Sequence, residues 1–207
     1  DYINWSSMIL NYAIYHNGKL WPQNSDGTHG SKKNVTVQYA IQKSFNTVPV
    51  RIITEMLGVN EAYNFMKKTF HLSTLDDAND ASIAPLATGS LTNGVTTVEM
   101  AAAYAVFGNN GYYYKPYCYY KVTNATGTEV LLETKSEPEK VLSEDTAEVM
   151  RELLKTVPAR SFRSSKNLGK FELMSKTGTT SDTKDSWIAG GTPYYVCAVW
   201  LGYDKPK

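Results

Sequence analysis

The stretch Lys176-Thr177-Gly178-Thr179-Thr180 decides how the rest of this chain is interpreted. Side chains two positions apart on a β-strand point to the same face, so the pattern predicts that the hydroxyls of Thr177 and Thr179 lie together. Gly178 has no side chain, which leaves room for the backbone of a ligand to approach. Lys176 adds a fixed positive charge. We therefore predict an edge strand that holds a carboxylate against a reacting carbonyl group.

Composition limits the kind of protein. The chain has 207 residues, of which 42% are hydrophobic and 20% charged, as expected for one packed domain or a large piece of one. A net charge of +1 gives no reason to expect nucleic acid as a partner. The three histidines are far apart and lack ligand spacing, so we predict neither a metal nor another cofactor. Cys118 and Cys197 form no Cys-x-x-Cys pair and are predicted to be separate thiols in the core.

The order of elements predicts an α+β fold, with helices packed on an antiparallel sheet. Residues 1–34 are interpreted as irregular. Hydrophobic spacing and capping residues predict five helices: Thr36–Lys43, Pro49–Leu57, one capped by Asn60, Met100–Phe107 after a capping box at Thr96 and Glu99, and one from Ser143 to about Lys155. Strand patterns follow at Tyr112–Val122, Glu129–Glu133, Phe171–Thr177, Ser186–Ala189 and Tyr194–Gly202. The last run is nearly all apolar, which predicts a central strand covered on both faces.

A second motif, Ser44-Phe45-Asn46, lies at a predicted helix boundary. Its hydroxyl and amide can relay protons and hold a substrate amide. Ser and Asn also favour helix caps and turns without any catalytic role, and the stretch around Lys176 taken alone fits an exposed strand and turn. Neither motif therefore decides the function by itself.

Together with their flanking sequence, the two motifs resemble the transpeptidase domain of the class A, bifunctional penicillin-binding proteins. That family combines a Ser-x-x-Lys, a Ser-x-Asn and a Lys-Thr-Gly motif. The resemblance runs over nearly the whole chain and implies a penicillin-binding/β-lactamase-like fold, with residues 1–207 as a single partial domain, the C-terminal portion of the family's domain. It is carried by Tyr39–Arg51, Gly94–Phe107, Lys176–Thr180, Asp185–Trp187 and Gly191–Pro193.

The resemblance implies acyl transfer. A serine attacks the D-Ala-D-Ala bond of a peptidoglycan stem peptide, D-Ala leaves, and the acyl group passes to an amine on a neighbouring stem. β-Lactam antibiotics imitate the donor and trap the acyl-enzyme. Ser44 would help to pass a proton to the leaving amine, and Asn46 would hold the donor amide.

The resemblance also assigns roles along the second strand motif. Lys176 would raise the local positive potential, and Thr177 and Thr179 would bind the terminal carboxylate. The backbone N–H of Thr179 would form half of the oxyanion hole, a contribution of several kcal/mol in typical enzymes. Gly178 and Thr180 would complete the wall that binds substrate or β-lactam.

The chain departs from the family's pattern most clearly at the nucleophile, the serine of Ser-x-x-Lys. The only Ser-x-x-Lys here is Ser181-Asp182-Thr183-Lys184, which directly follows the Lys-Thr-Gly strand in a polar stretch and is rejected as the nucleophile. The nucleophile and its lysine are expected shortly upstream of Asp1. This chain alone is then predicted to be inactive, with a companion N-terminal segment of the same parent as its partner. The resemblance places that parent at the extracytoplasmic face of a bacterial cell membrane, to which it would be anchored.

Two other functions stay open. One is a related serine hydrolase, a DD-carboxypeptidase or a β-lactamase, against which the long match over Gly94–Phe107 argues. The other is a non-catalytic penicillin sensor or scaffold domain. A smaller departure is Ser175, where the family often has glycine before the lysine.

Overall fold

The computed structural model describes residues 6–157, 172–180 and 184–203. Most strands in these ranges are short. They are β1 (Met8–Asn11), β2 (Ile14–His16), β3 (Lys19–Trp21), β4 (Lys33–Thr36), β5 (Tyr112–Tyr113), β6 (Lys121–Thr123), β7 (Val130–Glu133), β8 (Glu139–Lys140), β9 (Met174–Thr179), β10 (Asp185–Gly191) and β11 (Val196–Gly202).

The helices cluster in the first three quarters of the chain. They are α1 (Val37–Lys43), α2 (Thr47–Arg51), α3 (Val59–Asn64), α4 (Ile83–Thr88), α5 (Thr97–Gly108) and α6 (Glu144–Lys155). Two of them continue with wider, π-helical turns: α2 over Ile52–Leu57 and α3 over Phe65–Thr69. Within the described ranges, no helix is both long enough and apolar enough to cross a bilayer.

The last three strands form an antiparallel sheet in the order β11–β10–β9. Lys176 lies opposite Ala189, and Thr179 lies opposite Ser186. Within the described residues β9 is therefore an edge strand, as its motif predicted. The ladder fixes which residue of β9 stands beside which residue of β10, and so sets the position of the Lys-Thr-Gly motif.

Two long helices cover one face of this sheet. Helix α5 packs against β10 and β11, and α6 packs against β9 and against α5. Their shared core contains Phe107 of α5, Leu154 of α6 and Met174 of β9, all less than 10% exposed. Burying apolar side chains between the layers is the main force that holds helices and sheet together. The predicted α+β arrangement is confirmed.

The predicted helix starts are also confirmed where a capping side chain marked them. Thr36, predicted as the first residue of its helix, is the cap of α1 and accepts a hydrogen bond from the backbone N–H of Tyr39 at 3.1 Å. Thr96 and Glu99 form both halves of a capping box at the start of α5. The hydroxyl of Ser143 accepts a hydrogen bond from the backbone N–H of Thr146 and caps α6. Each cap satisfies backbone donors that a helix start leaves without an intrahelical partner.

The prediction that residues 1–34 are irregular was wrong for the described residues 6–34, whereas residues 1–5 lie outside the described part. Strands β1 and β4 pair with each other, and β2 and β3 form a hairpin. These strands have three or four residues, too few for an alternating pattern to stand out. Asn60 was also wrong as a helix cap, because α3 begins at Val59 and follows Gly58 at φ 88°.

The prediction of one strand over Tyr112–Val122 was wrong, because β5 ends at Tyr113 and β6 begins at Lys121. The first strand of the final β block begins at Met174; Phe171, its predicted start, lies outside the described residues.

The prediction of a covered central strand at the end of the chain was wrong as well. Strand β11 lies at an edge of the described sheet, and its side chains alternate between partly buried and exposed. Cys118 and Cys197 are exposed, so they are not core thiols. An apolar run cannot by itself show which of its faces the described chain covers.

Candidate active site

A cavity of about 920 Å³ separates the α1–α2 corner from β9 and α6. Six of the seven predicted site residues line it. They are Ser44, Asn46, Lys176, Thr177, Gly178 and Thr179. The fold thus brings together two motifs that stand more than a hundred positions apart in the sequence.

Ser44 occupies the sharp corner between α1 and α2. Its backbone is left-handed, with φ 52° and ψ 46°, and its N–H donates to the carbonyl of Ile41 at 3.1 Å. A residue in this conformation ends a helix and turns the chain sharply. The Ser44 side chain is exposed to the cavity instead of being covered by the next turn of α1.

Lys176 reaches across the cavity to this corner. Its ammonium group donates a hydrogen bond to the hydroxyl of Ser44 and another to the backbone carbonyl of Thr177 at 2.8 Å. Burial lowers the pKa of Lys176 from its ordinary value. The two hydrogen bonds fix a cation whose desolvation makes it more ready than a surface lysine to give up a proton.

Asn46 is held at two points by a loop from the N-terminal part of the chain. Its backbone N–H donates to Oδ1 of Asn24 at 2.8 Å. Its side-chain amide donates to the backbone carbonyl of Gln23, also at 2.8 Å. The amide of Asn46 therefore has a defined orientation at the cavity wall.

Thr180 is the predicted site residue that does not line the cavity. Its hydroxyl accepts from the backbone N–H of Asp185 at 2.9 Å and donates to the Asp185 carboxylate at 3.2 Å. These contacts join the end of β9 to the start of β10. A ligand role for Thr180 stays a prediction. Residues 181–183 of the rejected Ser-x-x-Lys lie outside the described residues.

Sequence reasoning missed two groups of residues at this site. Gln23 and Asn24 lie in the stretch interpreted as irregular and were missed, because long-range hydrogen bonds leave no spacing pattern. The other group is the apolar part of the cavity wall. It includes Phe45, Val48, Ile52, Met56, Leu57, Val149 and Met150. In the ranges that the structure covers, no three His, Cys, Asp or Glu side chains are grouped so that they could hold a metal ion.

The sequence matches the family model of the penicillin-binding protein transpeptidase domain over residues 8–205. It is 42% identical over 186 residues to penicillin-binding protein 1A of Clostridium acetobutylicum, an alignment that covers 89% of this chain and 22% of that protein. It is 31% identical to penicillin-binding protein 4 of Bacillus subtilis, covering 89% of this chain and 28% of that protein. The chain thus spans between a fifth and a third of the length of these relatives.

Solved structures share the fold. The penicillin-binding protein PonA1 of Mycobacterium tuberculosis superposes with a TM-score of 0.81 at 21% identity, covering 99% of this chain and 57% of that one. Penicillin-binding protein A of the same organism, solved as an imipenem acyl-enzyme complex, gives a TM-score of 0.75 at 18% identity, covering 99% and 51%. With the family-model match over nearly the full length, these likenesses confirm the resemblance found in the sequence, and the chain belongs to the penicillin-binding protein transpeptidase domain family.

Proposed function

We propose that this chain forms one side of the active site of a DD-transpeptidase that cross-links peptidoglycan stem peptides. The observation that carries the proposal is the hydrogen bond from Lys176 to Ser44 across a cavity that Asn46 and Thr179 also line. This arrangement joins the second and third motifs of the family around one space. The family membership and the names of the relatives agree with it.

In the first half-reaction, a serine hydroxyl attacks the carbonyl carbon of the penultimate D-Ala. The serine gives up its proton as the new C–O bond forms, the C–N bond to the terminal D-Ala breaks, and the leaving amine takes up a proton, so that no net proton is gained or lost. Lys176 and Ser44 are joined by a hydrogen bond, so a proton can pass along them to that amine. The lowered pKa of Lys176 favours such a transfer.

In the second half-reaction, an amine of a neighbouring stem attacks the ester carbonyl of the acyl-enzyme. A C–N bond forms, the C–O bond to the serine breaks, and the serine regains its proton. The backbone N–H of Thr179 is proposed to stabilise the oxyanion in both steps. The hydroxyls of Thr177 and Thr179 are proposed to bind the carboxylate of the donor or of a β-lactam. In a β-lactam the broken C–N bond lies in a ring, so the leaving group stays attached.

The nucleophile belongs, in this proposal, to a companion N-terminal segment of the same protein. The apolar wall formed by Phe45, Val48, Ile52 and Met150 suits a helix with an apolar face, and Ser44 and Lys176 line the same cavity. A Ser-x-x-Lys helix seated there would place its serine beside both groups. The chain without that segment is then expected to be inactive.

The extracytoplasmic side of the cell membrane is the proposed location, since the proposed substrate is assembled into the wall there. Membrane anchoring of the parent is part of the same proposal. Substrate and β-lactam would be its small-molecule partners.

The test uses the full-length protein that contains this chain. A fluorescent penicillin should acylate it, and isolated stem peptides should yield cross-linked dimers. Lys176→Ala should slow acylation by roughly 100-fold or more, the range for loss of a proton-transferring group. Lys115→Ala, at an exposed lysine that does not line the cavity, is the matched control and should react like the wild type.

Other products would point to the alternatives. Trimmed stem peptides without dimers would indicate a DD-carboxypeptidase, and steady turnover of penicillin would indicate a β-lactamase. A full-length protein that penicillin does not acylate would contradict the proposal and favour a scaffold. The chain alone, when labelled by penicillin as a monomer, would contradict the need for a companion segment.

A further inference from the structure

Asn24 lies buried beneath the Ser44–Asn46 corner, with 4% of its surface exposed. Its side-chain oxygen accepts hydrogen bonds from the backbone N–H of Asn46 at 2.8 Å and from that of Thr47 at 3.2 Å. These two donors belong to the start of α2, where no helical carbonyl is available to them. Asn24 thus caps a helix that begins more than twenty positions away from it.

The residue that normally caps such a helix is not used for that purpose. Asn46 stands at the N-cap position of α2 but makes no capping hydrogen bond with its side chain. That side chain instead donates to the carbonyl of Gln23 at 2.8 Å. Because Asn24 takes over the cap, the side-chain amide of Asn46 is available to bond to the carbonyl of Gln23 at the wall of the cavity. Asn24 holds the backbone of Asn46, and Gln23 holds its side chain.

Asn24 is itself held by a buried polar network. Its amide donates to Oδ1 of Asn11 at 3.2 Å, and the hydroxyl of Thr47 donates to the same oxygen at 2.7 Å. Asn11 and Thr47 are 2% and 0% exposed. Gly30 lies so close to Asn11 that a Cβ on the glycine would stand 2.4 Å from the Asn11 carbonyl oxygen. In such a packed, fully bonded network the Asn24 side chain has one favourable orientation.

We infer that Asn24 is a positioning residue that orients Asn46 toward the amide of the donor substrate and so sets the rate of acylation. This inference rests on the proposed function, in which Asn46 binds that amide. Removal of the Asn24 side chain leaves two backbone donors at the start of α2 without their acceptor. The start of α2 then shifts or frays, and the amide of Asn46 moves with it, while Ser44 stays bonded to the carbonyl of Ile41 at the end of α1. A displacement of about 1 Å at such a group can slow a reaction roughly 100-fold.

The test compares two β-lactams in the full-length protein. One is a penicillin with the usual acylamino side chain, whose amide Asn46 is proposed to bind. The other is a penam that lacks this side chain. Asn24→Ala should slow acylation by the first compound about 10- to 100-fold and acylation by the second by less than about 3-fold. Ser25→Ala, at the exposed neighbour in the same turn, is the matched control and should leave both rates unchanged.

A double-mutant cycle with Asn46→Ala tests whether the two residues act together. If Asn24 works through Asn46, the double variant should lose no more than Asn46→Ala alone. Equal losses with both β-lactams, or additive losses in the cycle, would overturn the inference, because a general loss of folded protein affects both compounds alike. Wild-type protein that neither compound acylates would instead refute the proposed function.

A milder variant covers the case in which Asn24→Ala does not fold. Thr47→Val keeps the shape of the side chain but removes the hydrogen bonds of its hydroxyl to Oδ1 of Asn11 and Oδ1 of Asn24, which weakens the network while Asn24 stays in place. Thr47→Val should slow acylation by the penicillin with the acylamino side chain more than acylation by the penam without it. Both losses should be smaller than those of Asn24→Ala. Equal losses with both compounds in Thr47→Val would again overturn the inference.

Discussion

Ser175 of β9 lies directly opposite Gly190 of β10, one position before the lysine of the Lys-Thr-Gly motif. A Cβ on Gly190 would stand 2.2 Å from the carbonyl oxygen of Met174 and 2.7 Å from the Cβ of Ser175. Real Cβ atoms do not approach other atoms so closely, so the two strands can keep this spacing only with glycine at position 190. The distance between β9 and β10 next to the motif therefore depends on position 190 being a glycine, which has no side chain.

Gly190→Ala is expected to destabilise the protein by about 1–3 kcal/mol, the usual cost of overpacking a close contact. The measurement is urea unfolding followed by tryptophan fluorescence. Gly178→Ala is the matched control on the same ladder, because its Cβ would meet only the Cβ of Trp187, at 3.4 Å. Equal effects of the two substitutions would contradict the importance of the contact at Gly190.

Ser175→Ala is expected to raise the free energy of unfolding by about 1 kcal/mol or to leave it unchanged. The hydroxyl of Ser175 is buried and has no hydrogen-bond partner among the described residues. Its removal eliminates a desolvated polar group at little loss of packing. Ser25→Ala, at an exposed position, serves as the reference in the same urea titration. A clear loss of stability in Ser175→Ala would show that the hydroxyl is bonded in solution.

Thr96→Ala is expected to cost about 1 kcal/mol, a typical value for loss of an N-cap. Glu99→Ala should cost more, because its carboxylate accepts from Ser73 as well as from Thr96 and so ties the preceding loop to α5. Calorimetry measures the free energy of unfolding of each variant and so the difference between the two costs. The order of the two effects would be reversed if the contact with Ser73 did not form.

The pH dependence of Glu99 is a separate prediction. Burial alone would raise the pKa of this carboxyl, but the hydrogen bonds from Ser73 and Thr96 outweigh it and lower the pKa below the ordinary 4.5. The stabilisation is therefore present above pH 4.5 and is lost as the pH falls through the lower folded-state pKa. Glu99→Gln should reduce the loss of stability at acid pH, measured as the free energy of unfolding at several pH values. Glu61→Gln, at an exposed carboxylate, should leave it as it is in the wild type.

A further prediction concerns how Tyr104 affects the stability of the protein at alkaline pH. Burial raises the pKa of its phenol from 10.0 to about 12. Between these values the folded state keeps a proton that the unfolded state has lost, so stability falls as the pH rises. Tyr104→Phe should remove this part of the alkaline loss, while Tyr15→Phe, at an exposed ring, should not. An ultraviolet titration in which Tyr104 ionises with the surface tyrosines would contradict the prediction.

The parts of the fold that the sequence predicted correctly depend on local chemistry. Thr96 and Ser143 cap the helices that follow them, because a capping side chain acts within three residues of its own position. The strand at the Lys-Thr-Gly motif was correct for a similar reason: alternation along a strand is a property of neighbouring residues.

The parts that were missed depend on contacts between distant segments. Asn24 caps α2 from another part of the chain, and only the folded structure brings the two together. Cys197 is exposed although it lies in an apolar run, because exposure depends on what packs against β11 and not on the run itself. Strands as short as β2 and β3 owe their form to the hairpin that joins them.

The edge position of β9 has an evolutionary consequence. In the described part of the chain no strand pairs with the side of β9 that faces away from β10, so the N–H and C=O groups on that side are open to a ligand. These groups belong to the main chain: a substitution to proline removes an N–H, and no substitution removes a C=O. An inhibitor that pairs with this edge would therefore use contacts that side-chain substitutions in β9 do not delete, and the contact between Ser175 and Gly190 restricts how far the strand can move.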